Sequence, residues 1–210
     1  MVKKSKSSRQ WLQNHQEDEY VRRARKDGYR SRASYKLLEI NEKFNLIGPG
    51  ARIVDLGAAP GGWSQVAVRL AGKQAMVIAV DMLPMDALDG VRFIQGDFEK
   101  DETYEELMLQ TAGQPVDLVI SDMAPNLSGM KDVDQPRSAW LVELAVEYAD
   151  RVLRPGGALV AKCFEGEGIE ALRGAFRCRF DRMSNFKPRA SRQKSREIYL
   201  IGRGYEGRRS

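Results

Sequence analysis

Cysteine and histidine are scarce: 210 residues include two cysteines, Cys163 and Cys178, and one histidine, His15. Neither cysteine belongs to a C-x-x-C pair, so a disulfide framework and a structural zinc site both lack ligands, no metal is expected, and a reducing cytoplasm is the expected compartment. His15 lies in a polar stretch without a partner cluster and is assigned no role. Long apolar runs are missing too. The longest, such as Met76–Val80 and Ala158–Val160, fall far short of the roughly 20 residues that cross a bilayer. The Lys- and Ser-rich start, residues 1–10, has no apolar stretch behind it and does not read as a secretory signal. A soluble protein that does not engage membranes is expected.

Negative charge is sparse at each end rather than in the whole. The net charge is +5, but residues 1–36 carry 11 basic and 4 acidic side chains, residues 173–210 carry 12 and 3, and the stretch between carries 11 and 22. Basic ends on an acidic body suit a polyanionic partner, because each phosphate contact releases counterions and the field steers association. Solvated tails would give the same counts, so charge alone does not decide. The length favours one domain, expected over residues 31–202, with a basic, partly flexible extension over 1–30 and a basic tail over 203–210. A monomer is expected.

Along this domain, apolar segments alternate with helical ones. Ala33, Leu37, Ile40 and Phe44 fall at helical spacing, and Gly48-Pro49-Gly50 is read as the stop. Strands are predicted at Arg52–Leu56, Met76–Asp81, Val91–Gln95, Asp117–Ser121, Ala158–Phe164, Arg182–Asn185 and Glu197–Gly202. Several are nearly continuously apolar, as parallel strands buried on both faces are. The clearest helix runs from Ser138 to Leu153, with Leu141, Leu144, Ala145, Tyr148 and Val152 on one stripe, and Pro155-Gly156-Gly157 is read as its stop. The fold class predicted is α/β: a doubly wound, mostly parallel seven-stranded sheet whose ligand site lies beyond the carboxyl ends of the strands.

The segment Ile53–Ser64, IVDLGAAPGGWS, is a buried strand, a small-residue turn and a helix start. Gly57, Gly61 and Gly62 allow close approach of backbone to a ligand. The pattern lacks the G-K-[ST] of a phosphate-binding P-loop, and Ala59 and Gly62 break the G-x-G-x-x-G spacing of a dinucleotide site. With no pyrophosphate to cradle, the loop suits S-adenosylmethionine, a zwitterion with a sulfonium, which nearby carboxylates favour. Asp81 closes the next strand about 20 residues after the loop, where a doubly wound fold presents a carboxylate to ribose hydroxyls. Asp97 follows the third strand and suits an adenine amino group. Asp55, Asp81, Asp97 and Asp122 each follow or close an apolar strand, which sets carboxylates along the carboxyl edge.

Together with these, Ser31–Leu37 (SRASYKL), Asp81–Met85 (DMLPM), Gln95–Phe98 (QGDF), Ser121–Asn126 (SDMAPN) and Ser195–Glu197 (SRE) closely resemble the FtsJ/RrmJ family of ribosomal RNA large-subunit 2′-O-ribose methyltransferases, in order across nearly the whole chain. The resemblance implies a Lys-Asp-Lys-Glu catalytic tetrad at Lys36, Asp122, Lys162 and Glu197. It also implies S-adenosylmethionine contacts at Gly61, Trp63, Asp81, Asp97 and Asp122. The expected acceptor is the 2′-hydroxyl of a uridine in large-subunit ribosomal RNA, free or within an assembled subunit.

Read without the resemblance, Asp122 and Lys162 end neighbouring apolar strands and should face one crevice, and an ammonium buried there without a partner would be costly. Lys36 and Glu197 would pass for surface residues. Lys162 is the candidate proton acceptor, helped by Lys36, while Asp122 and Glu197 orient the pair; a permanently charged Lys162 that steers the hydroxyl is the alternative. Other chemistries lack their residues. No stacking aromatic accompanies Pro125, as exocyclic amine methylation requires. Cys163 points away from Lys162 and Cys178 lies in an amphipathic segment, so no cysteine nucleophile is available. A nicotinamide-dependent oxidoreductase fails on loop spacing, and an RNA-binding module without catalysis would need no tetrad.

Overall fold

The computed structural model describes residues 18–111, 113–125 and 130–208, which leaves His15 and Asn126 outside the described residues. In chain order the elements are α1 (Glu19–Lys26), α2 (Ser34–Phe44), β1 (Arg52–Leu56), α3 (Gly62–Ala71), β2 (Met76–Asp81), β3 (Val91–Gln95), α4 (Asp101–Thr111), β4 (Val116–Ser121), α5 (Lys131–Val152), β5 (Leu153–Phe164), α6 (Ile169–Arg177), β6 (Phe180–Phe186) and β7 (Glu197–Tyr205). The seven strands form one sheet in the order β3-β2-β1-β4-β5-β7-β6. All are parallel except β7, which runs antiparallel to both β5 and β6.

Buried apolar side chains cover both faces of the sheet, which is why β1, β2 and β4 are mostly apolar. On one face Leu107, Tyr148 and Phe176, from α4, α5 and α6, pack on Val54, Val119 and Leu159. On the other, Leu37, Ile40, Trp63 and Val66, from α2 and α3, pack on Ile53, Leu118 and Val160. Alternation along β5 sends Cys163 into the first face, as expected of a core cysteine, and burial pushes its thiol up to about 12.

Several boundaries differ from the sequence reading. Helix α2 stops at Asn45, which adopts the left-handed conformation, while Asn41 Oδ1 accepts from the amides of Leu46 and Ile47; Gly48-Pro49-Gly50 comes later. Helix α5 begins at Lys131, seven residues before Ser138, and accommodates Pro136. It ends at Val152 because Leu153 is already extended and paired with Val116. Pro155-Gly156-Gly157 is therefore not a helix stop but part of a bulge in β5, where the pairing steps from Val116–Leu153 to Leu118–Ala158. The folded unit also exceeds the expected 31–202. Asp18 caps α1 by accepting from the Tyr20 amide at 3.0 Å, Val21 and Ala24 are buried, and β7 continues to the buried Tyr205.

Candidate functional site

A cavity of about 640 Å³ opens at the carboxyl ends of β1, β2, β3 and β4, the place where an open α/β sheet leaves a crevice. Gly57, in the turn after β1, forms its floor. Its φ is +77°, and a Cβ there would lie 2.7 Å from Met123 Cγ, so both conformation and space require glycine. Asp81, Asp97 and Asp122 all line the cavity, with Arg137 and Trp140 of α5 opposite. The Trp140 indole N–H donates to Glu99 Oε1 at 2.8 Å and ties α5 to the turn after β3.

Two of the lining carboxylates, Asp81 and Asp97, are held by backbone donors. Asp81 Oδ2 accepts from the Ala59 amide at 2.9 Å and Oδ1 from the Leu83 amide at 2.8 Å. Asp97 Oδ1 accepts from the Glu99 amide at 3.0 Å. A carboxylate has about four lone-pair directions, so both retain acceptor capacity toward the cavity. Asp55 differs from the other three. It is fully buried, accepts from Ser64 Oγ at 2.6 Å through Oδ2, and its Oδ1 has no hydrogen-bond partner among the described residues.

Gly61 and Trp63 do not line the cavity. A Cβ on Gly61 (φ +101°) would meet Met85 Sδ at 2.8 Å and Arg30 Nη1 at 2.9 Å, so its missing side chain admits protein rather than open space. Arg30 occupies that gap and donates to the carbonyls of Asp86 at 2.8 Å and Ala87 at 2.7 Å, which fastens the loop after β2. Trp63 is 3% exposed; its indole N–H donates to the Ala33 carbonyl at 2.8 Å and its ring lies 5.6 Å from that of Tyr199.

Beside the cavity, Lys36, Asp122, Lys162 and Glu197 come together around Tyr199. Lys162 Nζ lies 3.1 Å from Asp122 Oδ1 and also donates to the Asp122 carbonyl. Lys36 Nζ lies 2.7 Å from Glu197 Oε1. The Tyr199 hydroxyl donates to Asp122 Oδ1 at 2.7 Å and lies 3.3 Å from Glu197 Oε1, so it links the two ion pairs. Ser191 Oγ donates to Glu197 Oε1 at 2.7 Å. The reversal of β7 makes this possible, because it sets Tyr199 opposite Lys162 and Glu197 opposite Phe164 at the same edge.

Electrostatics follow from the geometry. Burial works to raise the Asp122 carboxyl, but the ammonium groups of Lys162 and Lys36 and the hydrogen bonds from Tyr199 and Lys162 hold it below the usual carboxylate range. Burial, followed by the charges of Asp122 and Glu197, pushes the Tyr199 phenol well above its ordinary value, so it remains a donor. Tyr199 and Ser191 escape sequence reasoning, since a tyrosine between Ile198 and Leu200 reads as core. The signal that was available is the period-two alternation from Glu197 to Tyr199.

A doubly wound sheet with a carboxylate-lined crevice beside a linked pair of Lys–carboxylate bridges is the architecture of an α/β protein with a ligand site at its sheet edge. Residues 29–205 match the FtsJ-like methyltransferase family, and the chain belongs to it. It is 54% identical over 204 residues to a ribosomal RNA large subunit methyltransferase E of Cellvibrio japonicus, with 97% of each chain covered. A relative of the same name from Pseudomonas fluorescens is 54% identical over 205 residues, with 98% of each covered. The crystal structure of a ribosomal RNA methyltransferase from Plasmodium falciparum superposes with a TM-score of 0.76 at 31% identity, covering 86% of this chain and all of that one. The fold and the methyltransferase activity are those expected from the sequence. Among the described residues no three His, Cys, Asp or Glu side chains are grouped so that they could hold a metal ion, and no helix is long and apolar enough to cross a membrane.

Proposed function

We propose that the protein transfers a methyl group from S-adenosylmethionine to the 2′-hydroxyl of a uridine in large-subunit ribosomal RNA, acting as a monomer in the cytoplasm. One observation carries the reading: the linked Lys162–Asp122 and Lys36–Glu197 pairs stand at the end of the carboxylate-lined cavity, all supplied by one chain. The cavity suits this cofactor. Its volume is that of a nucleoside-sized ligand site, Asp81 and Asp97 line it and suit ribose hydroxyls and the adenine amino group, and the carboxylates favour a cation. When bound, the cofactor supplies a methyl group on a sulfonium, a leaving group good enough that alignment is the main demand.

The protein's own groups then position the acceptor and take its proton. Lys162 Nζ is the proton acceptor, and Asp122 fixes it through both its carboxylate and its carbonyl. Glu197 keeps Lys36 in place, where its charge acts on the Asp122 carboxylate that holds Lys162. Tyr199 spans Asp122 and Glu197 and holds the spacing of the two pairs.

Incubation of free ribosomal RNA and of intact large subunits with radiolabelled S-adenosylmethionine, followed by alkaline cleavage, tests the acceptor. RNA cleaves in alkali because the 2′-oxygen attacks its own phosphate, so a 2′-O-methyl group leaves a gap in the ladder at the labelled uridine. An unbroken ladder there assigns the methyl group to a base. Asp81→Ala is expected to weaken cofactor binding by about 1.5–3 kcal/mol, roughly 10- to 150-fold in Kd, because a charged acceptor is lost. Calorimetry reads this directly, and unchanged affinity in a folded variant removes Asp81 from the cofactor site.

A further inference from the structure

A second groove, of about 1000 Å³, lies between α1, α2 and the chain that follows β6. No role described above uses it. Its wall is aromatic: the rings of Tyr20 and Tyr35 lie 5.5 Å apart and those of Tyr29 and Tyr35 5.6 Å apart. Cations interleave with the rings. The Arg23 guanidinium lies 4.7 Å from the Tyr35 ring, Lys43 Nζ lies 4.6 Å from the Phe186 ring, and Arg69 donates to the Tyr29 hydroxyl at 2.9 Å. Lys187 and Arg189 complete an exposed basic rim.

Carboxylates in the groove do not cancel these charges evenly. Glu39 accepts from the Arg189 and Ala190 amides at 2.5 and 3.1 Å, and Asp27 accepts from the Tyr35 hydroxyl at 2.6 Å. Two of the three acidic side chains are thus committed to internal donors, and five exposed cations, Arg23, Lys43, Arg69, Lys187 and Arg189, outnumber the three carboxylates, although Lys187 also donates to the Gln193 and Ser195 carbonyls. The same staple connects the groove to the tetrad. Arg189 and Ala190 are gripped by Glu39 of α2, and the next residue, Ser191, donates to Glu197.

We propose that this groove binds a single-stranded segment of the RNA substrate that flanks the methylated nucleotide, with a base stacked at Tyr20 and phosphates on the basic rim. Aromatic faces with interleaved cations are the chemistry that holds unpaired nucleotides without reading their sequence. The proposal rests on RNA being the substrate, and the groove's continuity with Glu197 places the flanking strand one loop away from the reacting ribose.

Steady-state transfer to two RNAs carrying the target, one with long single-stranded flanks and one trimmed close to it, tests the assignment. Tyr20→Ala is expected to raise KM about tenfold for the long RNA, the loss of one base–aromatic stack, with kcat, cofactor Kd and the trimmed RNA unaffected. Arg23→Gln with Lys43→Gln is expected to lower the slope of log affinity against log salt by about 1.4, two single-strand phosphate contacts. Photocrosslinking of wild-type protein to 4-thiouridine in the flank should label the stretch 19–43, which needs no variant to fold. Wild-type KM and salt slope in both variants, or crosslinks confined elsewhere, overturn the groove assignment and leave it to another partner. A wild-type protein that methylates no RNA at all overturns the reading beneath it instead.

Discussion

Lys162→Ala is expected to bind S-adenosylmethionine with wild-type affinity and to transfer methyl at least about 10²-fold more slowly, the smaller end of what a general base contributes. Cofactor affinity survives because Asp81 and Asp97 do not touch Lys162, while the side chain that faces the acceptor is lost. The variant also removes the principal partner of the buried Asp122 carboxylate, which retains its bond from Tyr199, so a melting curve must accompany the kinetics. Lys162→Arg separates the two roles open to this residue. A guanidinium keeps the charge and the pairing but does not give up its proton. Loss of transfer in both variants identifies a proton acceptor, near-normal transfer in the arginine variant identifies electrostatic steering, and near-normal transfer in the alanine variant makes Lys162 only an ion-pair partner.

The stability of the protein is expected to fall as the pH rises from 5 to 8, and Asp55→Asn is expected to flatten that slope. Burial, with the charges of Asp122 and Asp81, raises the Asp55 carboxyl from 3.8 to about 7 against the opposing hydrogen bonds from Ser64. Between those values the folded form keeps a proton that the unfolded chain has released, so stability decreases with rising pH through that window and is constant above it. From pH 5 to 8 the loss is on the order of 3 kcal/mol, or several degrees in melting temperature for a chain of this length. Asparagine keeps the shape and an acceptor for Ser64 while removing the buried charge. Parallel melting curves for wild type and variant across this range would mean that Asp55 is ionised in the folded protein at all of these pH values.

Much of the fold was legible because doubly buried parallel strands write themselves as apolar runs; the bounds of β1, β2 and β3 coincide with the prediction. What misled was punctuation. Pro155-Gly156-Gly157 ends a helix in most settings, yet here the pairing of Leu153 with Val116 captures the chain first and the three residues become a bulge. Pro136 and the polar residues around it hid the first turns of α5. At the site, Asp81, Asp97 and Asp122 were readable because each follows a strand at the edge where ligands bind. Glu197 and Lys36 were readable only through the family resemblance, since their meeting depends on β7 reversing direction. Tyr199 was missed because a side chain that bridges two ion pairs and one that fills a core look alike in an apolar strand.

That reversal divides the basic C-terminal stretch into two parts with opposite outlooks. Strand β7 leaves the tetrad at Glu197 and crosses the sheet to Tyr205, next to the start of β6, where the Glu206 amide bonds back to the Arg179 carbonyl. Lys187, Arg189, Arg192, Lys194 and Arg196 therefore precede the crossing and stand on the crevice side, whereas Arg208 follows it and leaves from the far rim. A linker attached at position 208 consequently departs from the rim opposite the crevice. Immobilised at that position, the molecule presents its open edge outward.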